Sequence, residues 1–155
     1  MKHSKMTGLL KVLIAINTII FLLLSLLHFY WGFGGTVWFA DVLPTNSTGS
    51  KRMEPGRGAS FVVAFALLIL AFVTIGNRGT WDSHINRMYF GYGALLIALV
   101  FSIRAIGDFK FVGFFKTIKG TPFAVNDTQL FSPLCLLIAA ISLLIFLWSK
   151  KITDQ

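Results

Sequence analysis

Apolar residues run almost unbroken along four stretches of the chain, 9–31, 60–75, 88–107 and 133–148, and polar residues gather in the short segments between them. A helix that crosses the hydrocarbon of a bilayer needs about 17 to 25 such residues. The first and third stretches meet this unaided, and the second and fourth meet it with a few flanking residues. The pattern therefore predicts helices over about 9–31, 57–76, 88–107 and 132–149. The fold class expected is all-α: one domain over 1–155, a membrane-embedded four-helix bundle with no length left for a soluble domain.

The connection between the third and fourth helices has a pattern of its own. Phe111, Phe114, Phe115 and Ile118 recur at i, i+3, i+4 and i+7, while Lys110, Lys116 and Lys119 fall outside that face. This spacing predicts a short amphipathic helix over 109–119, lying in the membrane interface with its lysines toward headgroups. Gly120 and Pro122 would stop it. Ser132 and Pro133 then read as the N-cap and first-turn proline of the last helix.

Composition supports the same class. Hydrophobic residues make up 55% of the chain and charged residues 13%, with a mean hydropathy of +0.76, far from the soluble average. The net charge of +8 raises the question of nucleic acid, but the basic residues are scattered through short loops rather than gathered with stacking aromatics on one face. Membrane lipids are the expected partners, and no nucleic acid. The single cysteine, Cys135, lies inside the fourth apolar run, so neither an intrachain disulfide nor a CxxC redox motif is available. The histidines lack further ligands at metal spacing, which leaves no metal site and no cofactor to expect.

Candidate chemistry collects at one end of the expected bundle. Arg104 sits about one turn inside the third apolar run, where a charge is costly and faces the bundle interior, a wet cavity or a partner. Asp108 follows four residues later and would share its face on a continuous helix. In the first helix Asn17, Ser25 and His28 form a polar stripe, Asn17 and His28 lying within about 20 degrees of one another. His28 is read either as a structural hydrogen-bonding residue or as a site residue. Tyr30, Trp31 and Trp38 read as an interfacial aromatic belt. Gly32, Gly34 and Gly35 allow the backbone to turn sharply or approach a ligand, without the strand and helix context of a phosphate loop. Asp41 lies in the following loop, and Glu54 precedes Pro55, where a carboxylate favours a helix start. The candidate ligand-binding set is His28, Tyr30, Trp31, Asp41, Glu54, Arg104, Asp108 and Lys110, with no catalytic residue assigned.

The basic N-terminus precedes an apolar run that continues into bulky aromatics, and reads as a retained helix rather than a signal peptide. Lysines before the first helix and after the fourth place both termini in the cytoplasm. Outside the third helix, seven Lys and Arg fall on that side and six on the other, a narrow margin. Whichever way the bundle is inserted, His28, Asp41, Glu54, Arg104, Asp108 and Asp127 belong to one membrane face.

Four motifs in order, LHFYWGFGG at 27–35, DVLP at 41–44, IRAIGDFKFVGFFK at 103–116 and FSPLC at 131–135, carry a resemblance. The chain resembles a family of small bacterial four-helix membrane proteins catalogued only as a domain of unknown function. That resemblance implies a four-helix topology and a cell-membrane location, and carries over no activity. The residues themselves favour a protein that binds a lipid headgroup or small amphiphile at one membrane face. The alternative is a small intramembrane enzyme doing acid–base chemistry on a lipid or isoprenoid-like substrate, with His28 as acid or base. A small multidrug-type transporter is disfavoured, because no Asp or Glu lies at mid-helix in the four predicted spans.

Overall fold

The computed structural model describes residues 8–44 and 56–153, the side chains of the last two apart. Helix α1 is Gly8–Gly32, α2 is Arg57–Gly76, α3 is Arg87–Ile106, α4 is Pro122–Asn126 and α5 is Ser132–Thr153. A 3-10 turn, Ala40–Val42, follows α1, and a π-helical turn, Asp127–Phe131, joins α4 to α5. Among the described residues there is no strand. Among the described residues four helices are long and apolar enough to cross a membrane: α1, α2, α3 and the composite Pro122–Lys151. At 1.5 Å per residue the two 20-residue spans reach about 30 Å, the thickness of the hydrocarbon layer. The chain is a multi-pass membrane protein.

The helices are paired. α1 packs most extensively on α2 and α3 on α5, while narrower contacts of α1 with α5 and of α2 with α3 close the ring. In lipid, the exclusion of water cannot hold helices together, so close van der Waals fit and interhelical hydrogen bonds do that work. Small residues duly lie inside: Ala64, Ala71, Ala94, Ala98 and Ala139 are buried, and a Cβ on Gly76 would fall 2.2 Å from the Phe90 ring. Two apolar clusters fill the interior, one around Ile14, Ala94 and Ile145, the other around Phe21, Leu67, Ile97 and Ile138. Large apolar side chains such as Leu23, Phe65, Leu96 and Leu136 are exposed on the outward faces of the spans.

Three polar contacts pin the pairs. Asn17 donates from Nδ2 to Ser142 Oγ at 2.9 Å, tying α1 to α5, and Ser25 Oγ donates to the Ala64 carbonyl, tying α1 to α2. Asn77, at the C-cap of α2, is fully buried. Its amide donates to the carbonyls of Val73 and Phe90, and its Oδ1 accepts from Ser149 Oγ at 2.8 Å. Its own carbonyl accepts from the Arg87 guanidinium.

Two expectations need correction. The stretch 107–120 is not an amphipathic helix, because its backbone cannot stay helical: Gly107, Phe109 and Gly113 have φ of 91°, 61° and 89°. Nor do its apolar residues share a face, since Phe111 is buried with Lys116 while Phe114 and Phe115 are exposed. The last span also begins ten residues earlier than Ser132, at Pro122. Thr121 is the N-cap, its side chain accepting from Ala124 N at 3.1 Å, and Pro122 takes the first turn. Pro133 lies inside the span, two residues after the π turn, at whose end Ser132 N donates to the Asp127 carbonyl. A proline in a helix interior lacks a donor and clashes with the preceding turn, and a widened turn relieves that crowding.

Candidate functional site

Helix α3 ends at Ile106 because Gly107 leaves the helical region, its N–H still bonding the Ile103 carbonyl at 2.8 Å. The chain then doubles back over the helix end. Asp108 N donates to the Val112 carbonyl, and Phe114 N reaches the Ala105 carbonyl at 2.9 Å. Gly107 and Gly113 meet where the strands of this loop cross, and a Cβ on Gly107 would fall 1.7 Å from the Val112 oxygen. Only glycine allows both the positive φ and the approach.

Asp108 organises the loop tip. Its Oδ1 accepts from the backbone amides of Lys110, Phe111 and Val112 at 3.0, 2.6 and 2.9 Å. A carboxylate receiving converging amides replaces the helical bonds these residues would otherwise seek. Because α3 ends before Asp108, the helical spacing that suggested an Arg104–Asp108 pair does not extend to it.

The carboxylate brought against Arg104 comes from 23 residues further on. Asp127, the first residue of the π turn, is fully buried and accepts from Arg104 Nη2 at 2.8 Å through Oδ1. Its Oδ2 accepts from Gly113 N at 2.8 Å and from Lys116 Nζ at 2.9 Å. Lys116 is 2% exposed and also donates to the Gly113 carbonyl and to Thr128 Oγ1. Its three N–H bonds are thus all satisfied. Arg104 differs. Its side chain is 34% exposed, and its Nη1 is buried without a hydrogen-bond partner among the described residues. Two cations share one carboxylate, so this bonded trio carries one positive charge in excess.

The remaining described candidates belong to the same end of the bundle as this trio. His28 Nδ1 lies 2.8 Å from the Leu24 carbonyl, which can only accept, so Nδ1 donates in this hydrogen bond and Nε2 is not engaged by it. The His28 ring meets Trp31 edge-on, with centroids 4.9 Å apart. Trp31 is buried, donates from Nε1 to the Val37 carbonyl at 2.8 Å and packs on Phe39. This corrects its reading as a belt residue. Tyr30 remains exposed, its ring over Gly35, and Arg57 lays its guanidinium over Gly34, whose φ is 98°. Asp41 sits in the 3-10 turn that packs on α4. Lys110 is exposed, its ammonium 5.4 Å from the centroid of the Phe111 ring. Glu54 lies outside the described residues. Among those described, no hydrogen bond or ion pair joins His28 or Asp41 to Arg104.

Sequence reasoning placed Asp127 on this face but gave it no role, and turned Lys116 toward headgroups. Thr121-Pro122 held the missing signal, since it is as good a helix start as Ser132-Pro133 and puts Asp127 inside the span. Among the described residues no three His, Cys, Asp or Glu side chains approach as metal ligands would. A family model described as "Protein of unknown function (DUF3995)" matches residues 21–142. No curated protein and no solved structure matches the chain.

Proposed function

This chain belongs to the DUF3995 family, and we propose that it is a cell-membrane protein that holds an anionic lipid headgroup or small anionic amphiphile at Arg104. The observation that carries this reading is the Arg104 guanidinium. It stands near the end of a spanning helix, partly open, with one nitrogen bound to Asp127 and the other without a partner. A buried donor left unmade costs about 1 to 3 kcal/mol, and an anionic oxygen would satisfy it. The positive charge in excess over Asp127 favours the same ligand. Exposed Tyr30, Lys110 and Arg57 belong to the same end of the bundle, as do His28 and Trp31 near the end of α1 and Asp41 in the turn after it. With both termini in the cytoplasm, as the flanking lysines favour, this face is the outer one.

An acid–base enzyme has weaker support. His28 offers Nε2 as a base would, but no carboxylate among the described residues orients its ring.

Arg104→Gln tests the binding reading, because it removes the guanidinium and leaves Lys116 and Asp127 as a balanced pair. Wild type and variant are purified in mild detergent, and the lipids that accompany them are identified by mass spectrometry. The variant is expected to stay monodisperse and to lose an anionic lipid that the wild type retains. Equal retention by a folded variant would overturn the proposal.

A further inference from the structure

We infer that the Arg104 site selects amphiphiles carrying a single negative charge, and discriminates against both phosphomonoesters and zwitterions; this rests on the anion-binding reading above. The argument is one of charge and donor supply at a place where water is scarce. Lys116 cannot serve a ligand: it is 2% exposed, and its three protons are committed to Gly113, Asp127 and Thr128. Asp127 is fully buried, with both oxygens engaged. The trio therefore meets a ligand only through Arg104, and with the one charge that Asp127 leaves uncompensated.

A monoanion cancels that charge at the partly exposed Arg104 side chain, whose buried Nη1 lacks a partner among the described residues. A phosphomonoester, whose second proton leaves near pH 6, brings a second charge. No cation of the trio remains to meet it, and Lys110 and Arg57 are exposed, where water and salt screen their charge. Desolvating an unmatched charge at this depth is costly. A zwitterionic headgroup fails for the opposite reason, because its cation must sit beside a cluster that is already positive. Phosphodiester lipids with neutral head alcohols and ionised fatty acids share the required chemistry.

The test uses the whole protein in bilayer nanodiscs of equal parts phosphatidylcholine, phosphatidylglycerol and phosphatidic acid at pH 8. The complexes are released into detergent, and bound lipids are counted by native mass spectrometry. Phosphatidylglycerol should be enriched severalfold over both others, and Arg104→Gln should abolish the enrichment. Phosphatidic acid enriched as much as or more than phosphatidylglycerol, in an Arg104-dependent way, would overturn the single-charge inference while leaving an anion site standing. If neither anionic lipid is enriched over phosphatidylcholine, or if Arg104→Gln changes nothing, both readings fall. Adding oleate separates the two sources. Displacement of phosphatidylglycerol supports the inference with a fatty acid as occupant, and persistence of the diester supports it with a phospholipid.

Discussion

Lys116 and Asp127 form an ion pair of 2.9 Å in which neither side chain is more than 1% exposed. It joins the loop after α3 to the first turn that follows α4, so the fold of the loop and the start of the last span depend on each other. Breaking one side of such a pair costs about 3 to 5 kcal/mol, because a charge is left buried and unmatched. Asp127→Leu should be the most damaging single change at this site, since it strands both Lys116 and Arg104. Adding Lys116→Met should recover part of the lost stability, because the remaining cation, Arg104, is partly exposed. Thermal unfolding in detergent measures both, and a double variant no more stable than Asp127→Leu would contradict the pairing.

The crossing of Gly107 and Gly113 makes a second prediction. Alanine at Gly107 must adopt a φ of 91° and place its Cβ 1.7 Å from the Val112 oxygen. The backbone conformation, φ 91° with ψ −169°, alone costs about 1 to 3 kcal/mol for a residue with a Cβ, and the clash adds to it. Gly107→Ala and Gly113→Ala should each lower the melting temperature sharply, whereas Gly120→Ala, with nothing within 4 Å of its Cβ, should not. Equal melting temperatures for all three would show that the loop does not cross as described.

At the opposite end, Asn77 gathers carbonyls and a hydroxyl from α2, α3 and α5. Asn77→Ala removes all three bonds and leaves Ser149 and the Phe90 carbonyl buried without it. A loss of about 1 to 3 kcal/mol is expected for the three bonds removed together. Chemical or thermal unfolding that matches wild type would mean that water replaces the side chain.

Orientation is checked by cysteine accessibility in a Cys135→Ser background. Thr36 lies in the loop after α1 and Ser83 in the connection from α2 to α3, both exposed and at opposite ends of the bundle. With cytoplasmic termini, a cysteine at Thr36 should react with an impermeant reagent on intact cells and one at Ser83 should not. The reverse pattern would invert the protein in the membrane.

The sequence by itself determined the class, the number of spans and the side on which the charged residues gather. The reason is that an all-or-none constraint acts on each segment separately: in hydrocarbon a backbone must satisfy its own hydrogen bonds, so a run of about 20 apolar residues becomes a spanning helix whatever its neighbours do. Arg104 stood out for the same local reason, as a charge where charges are expensive. Which carboxylate answers it was not a local question. Asp108 was near in sequence and Asp127 distant, and helical spacing favoured Asp108. Tertiary structure decided otherwise, because positive φ at Gly107, Phe109 and Gly113 ended the helix and turned the intervening loop back. That loop let Asp108 take up backbone amides and carried Lys116 inward onto Asp127. A periodic pattern of apolar residues encodes a helix only if the backbone can follow it, and at these three positions it does not. The partner of a buried charge is chosen by whatever the folded chain brings within about 3 Å, which spacing along the sequence does not specify.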